Sequence, residues 1–286
     1  MTSEAPGHGS TGSRISDNAD EVILDICDVG YAYGGAWAVD GCSFTVARGS
    51  VTGIMGPNGA GKSTLLEVLS GSLAPQRGAI KYEGVDIAGC GPTKAARMGI
   101  VRTFQIARVL GRLPVIENVM VAAQGQRGEN PLKAVFWPRA WEPQESQLRN
   151  EAMELIRWVG LHTHVDQPAA SLSGGQRRLL EIARALMAHP KVLLLDEPTA
   201  GVFPETSRLI ADRVRDVAKQ GVTVLMIAHN MSLLASLADD VVVMSEGKVL
   251  IRGSLDFVRA NEQVKRAYLG VAGPVQKPAV TPPMGS

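Results

Sequence analysis

Val51-Thr-Gly-Ile-Met55 runs directly into Gly56-Pro57-Asn58-Gly59-Ala60-Gly61-Lys62-Ser63-Thr64, and then into a stretch holding Leu65, Leu66 and Leu69. The first five residues read as a short buried strand. The leucines share one helical face, and the helix stops at Gly71. The loop between them satisfies G-x-x-x-x-G-K-[ST] in the strand–loop–helix setting that this pattern requires. Its glycines let successive backbone N–H groups converge on phosphate oxygens at a helix N-terminus. Lys62 then supplies the cation for the β- and γ-phosphates, and the Ser63 hydroxyl is a magnesium ligand. The setting is what separates this loop from an ordinary glycine turn.

Working outward, the same type of strand recurs. Val192–Leu195 is apolar and ends on Asp196-Glu197, two adjacent carboxylates. Asp196 fits the magnesium side of a phosphate-loop ATPase, and Glu197 fits a base or orienter for the attacking water. Leu172-Ser173-Gly174-Gly175-Gln176 opens a helix that runs to about Ala188. Ser173 is its N-cap, and two glycines in a first turn make sense where bare amides approach an anion. A further strand, Val222–Ala228, is followed at once by His229. Strand patterns at Val22–Val29 and Cys42–Val46 precede the loop. Helical periods cover Gln144–Val159 and the stretch through Ile210, Val214 and Val217. Glu246-Gly247 turns a hairpin between Val241–Met244 and Lys248–Ile251. Ser254 caps a last helix that ends near Gly270. The pattern predicts an α/β phosphate-loop NTPase core, a largely parallel sheet with flanking helices and N-terminal antiparallel strands. An α-helical subdomain, about residues 107–185, is inserted in it. The ATPase domain then spans 21–270, between a disordered N-terminal tail (1–20) and a Pro-rich disordered C-terminal tail (271–286).

Composition narrows the class. Lys plus Arg is 29 against 28 for Asp plus Glu, so no basic surface calls for nucleic acid. Cys27, Cys42 and Cys90 are odd in number and form no C-x-x-C, which speaks against a disulfide framework or a zinc site. The longest apolar runs are too short to cross a membrane. Met1–Asp20 carries Glu4 and Asp17 without an apolar stretch, unlike a secretory signal. A soluble chain in a reducing compartment is expected. His162-x-His164-x-Asp166 offers ligand types but lacks a second cluster, so a metal is not expected there. Phe136-Trp137-Pro138 and Trp141 read equally as a docking surface and as a satellite core.

In order and type, these motifs resemble the ABC-type ATPases, the nucleotide-binding subunits of ATP-binding-cassette transporters, over about Val22 to Gly270. The resemblance implies ATP and Mg2+ as cofactors and gives each motif a role. Tyr33, ahead of Gly34-Gly35, is the aromatic that stacks on adenine. The loop Gly56 to Thr64 holds the phosphates, and Ser63, Gln105 and Asp196 belong to the metal. Gln105, in Thr103-Phe104-Gln105, also contacts water and senses the membrane partner. Ser173, Gly174, Gly175 and Gln176 bind the ATP of an opposite protomer. Glu197 and His229 complete the catalytic set with Gln105. Arg102-Thr-Phe-Gln105, Val115-Ile-Glu-Asn118, Glu181-Ile-Ala-Arg184, Thr199-Ala-Gly201 and Arg266-Ala-Tyr-Leu-Gly270 are similar to the ATPases of branched-chain amino-acid and urea-type importers. That likeness implies transmembrane permease subunits and a second ATPase subunit, sibling or identical, set head to tail. It also implies, indirectly, a periplasmic or extracellular substrate-binding protein, and a place on the cytoplasmic face of the membrane. A lipopolysaccharide-type exporter and an iron–sulfur assembly scaffold are the alternatives. The chain departs from the pattern at Phe203, where ABC ATPases commonly carry Asp and these importers often Asn.

Overall fold

The computed structural model describes residues 21–103, 109–124 and 142–269. Gln105, Trp137, Trp141 and both tails lie outside the described residues. β1 (Val22–Tyr33) and β2 (Ala36–Ala47) form an antiparallel pair that continues through β4 (Arg77–Tyr82) and β5 (Val85–Asp86), in the order β2-β1-β4-β5. Both strands are longer than their alternating stretches suggest, because register shifts let the chain bend without losing its pairing. The second sheet holds β3 (Val51–Met55), β6 (Ile100–Arg102), β7 (Val192–Asp196), β8 (Thr223–Ile227), β9 (Asp240–Ser245) and β10 (Lys248–Gly253). Its order is β10-β9-β3-β8-β7-β6, parallel throughout except for β10, which returns from β9 as a hairpin.

Side-chain alternation sends this sheet's residues to two cores. Val192, Leu194, Leu225 and Ile227 join α1 (Lys62–Leu69) and the antiparallel sheet on one face. Leu193, Leu195, Val224 and Met226 join the other helices on the opposite face. All five residues of β3, β7 and β8 are buried, as strands covered on both faces are.

Between β6 and β7 the described elements are helical: α3 (Val115–Met120), α4 (Glu142–Trp158) and α5 (Gly174–Leu186) share one apolar cluster. The short α2 (Pro92–Arg97) precedes β6, and α6 (Pro204–Lys219) and α7 (Met231–Leu237) flank β8. The last helical stretch is not one helix but two, α8 (Leu255–Ala260) and α9 (Glu262–Leu269). Asn261 interrupts them: its backbone turns extended, and its Oδ1 accepts from the amides of Gln263 and Val264 at 2.8 and 3.2 Å. An Asn side chain that caps a new helix outcompetes continuation of the old one.

Candidate active site

β3 lies between β9 and β8, and β8 lies beside β7. The loops that leave these strands therefore emerge side by side at the carboxyl edge of the sheet, where open α/β sheets bind ligands.

The loop after β3 is built on glycines for two separate reasons. Gly61 has φ +91°, and a Cβ there would meet the Ala38 carbonyl oxygen at 2.0 Å. Close packing on β2 thus forbids a side chain. Around Gly59, φ +79°, a Cβ would meet nothing within 4 Å, so that backbone faces open space. Gly61 is the N-cap of α1 and provides no side-chain cap. The first-turn amides of Lys62, Ser63 and Thr64 have no partner within the helix, as in an anion-binding N-terminus. The buried Lys62 ammonium donates to the carbonyls of Gly56 and Pro57 at 2.9 and 2.8 Å. Burial pulls its pKa down, and the carboxylates of Glu197 and Asp196 work against that fall.

Asp196 closes β7 and is 1% exposed. Its two oxygens have different neighbours: Ser63 Oγ donates to Oδ1 at 3.4 Å, and Arg102 Nη2 donates to Oδ2 at 3.1 Å. Hydroxyl and carboxylate oxygens suit a hard cation that completes its shell from phosphates and water, so Ser63 and Asp196 fit magnesium. Among the described residues no three His, Cys, Asp or Glu converge as a closed metal site, and His162, His164 and Asp166 do not form one.

Glu197 follows in a left-handed conformation, φ +48°, uncommon for a residue with a side chain. Such strain gathers where geometry serves function. Its Oε1 lies 2.6 Å from His229 Nε2, so β7 and β8 deliver a carboxylate and an imidazole to one point. A cleft of about 580 Å³, lined by this pair with Thr199, Ser207 and Arg208, keeps solvent in reach.

Tyr33 ends β1 with about half its surface exposed, and its hydroxyl donates to Glu67 Oε2 at 3.4 Å. The motif Ser173–Gln176 is a capping box: Ser173 Oγ accepts from the Gln176 amide at 3.3 Å, and Gln176 Oε1 accepts from the Ser173 amide at 2.8 Å. Its glycines differ. A Cβ at Gly174 would meet nothing within 4 Å, whereas one at Gly175 would meet Thr206 Cγ2 of α6 at 2.8 Å. Close packing explains Gly175, and only Gly174 presents open backbone. The roles of Arg102 and Glu67 escape a reading of the sequence. Arg102 is visible in the sequence only as the first residue of the motif Arg102-Thr-Phe-Gln105, with no role of its own, and Glu67 only as one half-buried polar residue on α1.

The profile described as ABC transporter matches residues 39–200. The chain belongs to this family. It is 38% identical over 251 residues to the high-affinity branched-chain amino acid transport ATP-binding protein BraF of Pseudomonas aeruginosa, covering 87% of this chain and 98% of that one. It is 37% identical over 228 residues to the probable branched-chain amino acid transport ATP-binding protein LivG of Methanocaldococcus jannaschii, covering 80% of this chain and 86% of that one. Among solved structures, the ADP conformation of MJ1267, an ATP-binding cassette of an ABC transporter, superposes with a TM-score of 0.76 at 35% identity, covering 87% of this chain and 99% of that one. The chain is an ABC ATPase with an α/β phosphate-loop NTPase fold, and no helix among its described residues is long and apolar enough to cross a membrane.

Proposed function

We propose that this ABC ATPase powers an importer for branched-chain amino acids or related small polar nutrients. The observation that carries the substrate class is the likeness to BraF and LivG along most of both chains, rather than along the nucleotide loops alone. The ATPase works at the cytoplasmic face of the membrane, held there by permease subunits. A substrate-binding protein outside the membrane hands its cargo to those subunits.

The amides of Gly59 to Thr64 would hold the ATP phosphates, Lys62 would supply the cation for the β- and γ-phosphates, and Tyr33 would take the adenine. A magnesium ion held by Ser63, Asp196 and Gln105 would neutralise charge on those oxygens. Glu197 takes a proton from the attacking water, and His229, 2.6 Å from its Oε1, fixes that carboxylate and reaches towards the γ-phosphate. Ser173, Gly174, Gly175 and Gln176 serve the ATP of an opposing cassette. Two head-to-tail cassettes then close on two ATPs and open after hydrolysis. The 21–270 domain, with its helical subdomain at about 107–185, is the unit that closes.

Glu197→Gln tests this reading. The amide cannot accept the proton, while Asp196 and Ser63 are intact, so ATP and magnesium binding persist and turnover falls by about 10²–10³. Closed, ATP-bound dimers then accumulate in size-exclusion chromatography. Hydrolysis at the unaltered rate would assign the base to another residue. Uptake of labelled leucine by vesicles containing the whole transporter decides the substrate class.

A further inference from the structure

The phosphate-loop motifs leave two charged residues beside the metal carboxylate unused. Arg102, at the end of β6, has a side chain only 8% exposed, and that of Asp196 is 2% exposed. Arg102 Nη2 sits 3.1 Å from Asp196 Oδ2, and Nη1 sits 3.6 Å from Glu67 Oε1. Glu67, on α1, accepts in turn from the Tyr33 hydroxyl at 3.4 Å. One line of polar contacts therefore runs from Ser63 through Asp196, Arg102 and Glu67 to Tyr33.

We propose that Arg102 is a positioning residue that acts as a resident counter-ion for Asp196, so that the site takes a divalent cation together with ATP and not alone. The proposal rests on the reading of Asp196 and Ser63 as the metal's residues. Its physical basis is charge and geometry. A carboxylate this buried needs a partner, and the guanidinium satisfies one of its oxygens. That contact turns the other oxygen towards Ser63, where the metal is expected. The same positive charge repels a divalent cation across a short, poorly screened distance. The triphosphate's negative charge offsets that repulsion, so metal and nucleotide enter together. Without Arg102, the carboxylates of Asp196 and Glu197 would have Lys62 as their cation, Glu67 would lose its own, and the summed negative charge would favour a free divalent ion. Glu67 shares the guanidinium and moderates its hold on Asp196.

Manganese binding to the nucleotide-free full chain, followed by electron paramagnetic resonance, reads this directly. Arg102→Met should bind Mn2+ at least about tenfold more tightly than the unaltered chain. Its kcat should fall about tenfold, because the carboxylate loses its orientation, while ATP affinity measured in EDTA stays within about twofold. Arg102→Lys keeps the charge but not the two-pronged contact, so it should restore weak metal binding with an intermediate kcat. Glu67→Gln removes a negative charge and should weaken Mn2+ binding about two- to threefold. General damage to the fold would weaken metal binding in every variant, opposite to the gain expected for Arg102→Met. Unchanged Mn2+ affinity in Arg102→Met, with an unaltered melting temperature, overturns the proposal. Should that variant fail to fold, unchanged or tighter binding in Glu67→Gln overturns it instead. Asp196→Asn with intact magnesium-dependent hydrolysis would overturn the underlying metal reading, an outcome separate from both.

Discussion

Gly174 and Gly175 are neighbours of one type with unlike reasons to be glycine. A methyl group at 175 would sit 2.8 Å from Thr206 Cγ2 and 3.3 Å from its Cβ, so the Thr206 side chain or the first turn of α6 must give way. Gly175→Ala should therefore cost about 1–3 kcal/mol of stability by overpacking. Thermal melting of the isolated chain reads that cost as a drop of several degrees. At 174 a methyl group meets open space, so Gly174→Ala should leave melting unchanged or slightly raised, since alanine is the better helix former. If the amides of this turn hold the partner's nucleotide, the same change lowers hydrolysis in the assembled transporter. Equal melting of the two variants would refute the packing argument. The sequence shows two glycines in a costly place. Only the approach of α6 separates their roles, because Thr206 lies 31 positions along the chain from Gly175.

Elements built from local pattern were legible in the chain, and those built by distant partners were not. The strand Val51–Met55, its loop and α1 are set by apolar runs and glycines within a dozen residues. β4, β5 and β6 are short or half exposed; β4 and β6 pair with strands far away in sequence, and β5 is only two residues folded back on β4, so little in the local pattern marks them. Asn118 is the same kind of residue on α3. It is fully buried, its Oδ1 accepts from the Leu110 amide at 2.7 Å, and its Nδ2 donates to the carbonyls of Leu110, Leu113 and Pro114. One side chain thus pins Leu110, Leu113 and Pro114 to α3. Asn118→Leu leaves the Leu110 amide without an acceptor and takes one donor from each of the three carbonyls, which keep the amides of Leu113, Ala169 and residue 118; it should destabilise by about 1–3 kcal/mol, read by urea denaturation. β2 meets the β9–β10 turn through Cys42, whose Sγ donates to the Gly247 carbonyl at 3.2 Å. Burial pushes this thiol up to about 11, from 9.0 for an accessible cysteine. A raised folded-state pKa means the folded chain keeps this proton where the unfolded chain releases it. Stability should fall from about pH 9 to pH 11, by about 2–3 kcal/mol from this group. Cys42→Ala should flatten that part of the melting-temperature profile. A profile unchanged by the substitution would assign the alkaline loss to other groups, such as Tyr82, whose hydroxyl burial raises to about 12.

At the scale of the whole molecule, the residue that stands out is Phe203. It is 80% exposed, so it does not pack on Pro204 or on the rest of the described chain. It is also the N-cap of α6, a place where Asp or Asn would accept from first-turn amides and where Phe makes no side-chain cap. The family resemblance puts this position on the loop after Glu197 that faces a second cassette, near its phosphate loop. An exposed aromatic there gives up a helix cap and, at such an interface, would give up a hydrogen bond as well. In its place it offers an apolar surface whose burial would favour association by about 1.5–3 kcal/mol. A cassette contacting its partner in this way would leave the partner's ATP site without a polar neighbour. Were the partner a sibling subunit, the two sites would hydrolyse unequally; two identical subunits would be affected alike. Phe203→Asp separates the two effects. In the isolated chain the new cap should stabilise α6 by about 1 kcal/mol and raise the melting temperature by about 2–4 °C. In the reconstituted transporter the restored polar contact should speed ATP turnover while ATP affinity changes little. Turnover that is unchanged or lower, with the melting gain in place, would sink the unequal-site account and leave Phe203 as an apolar contact alone.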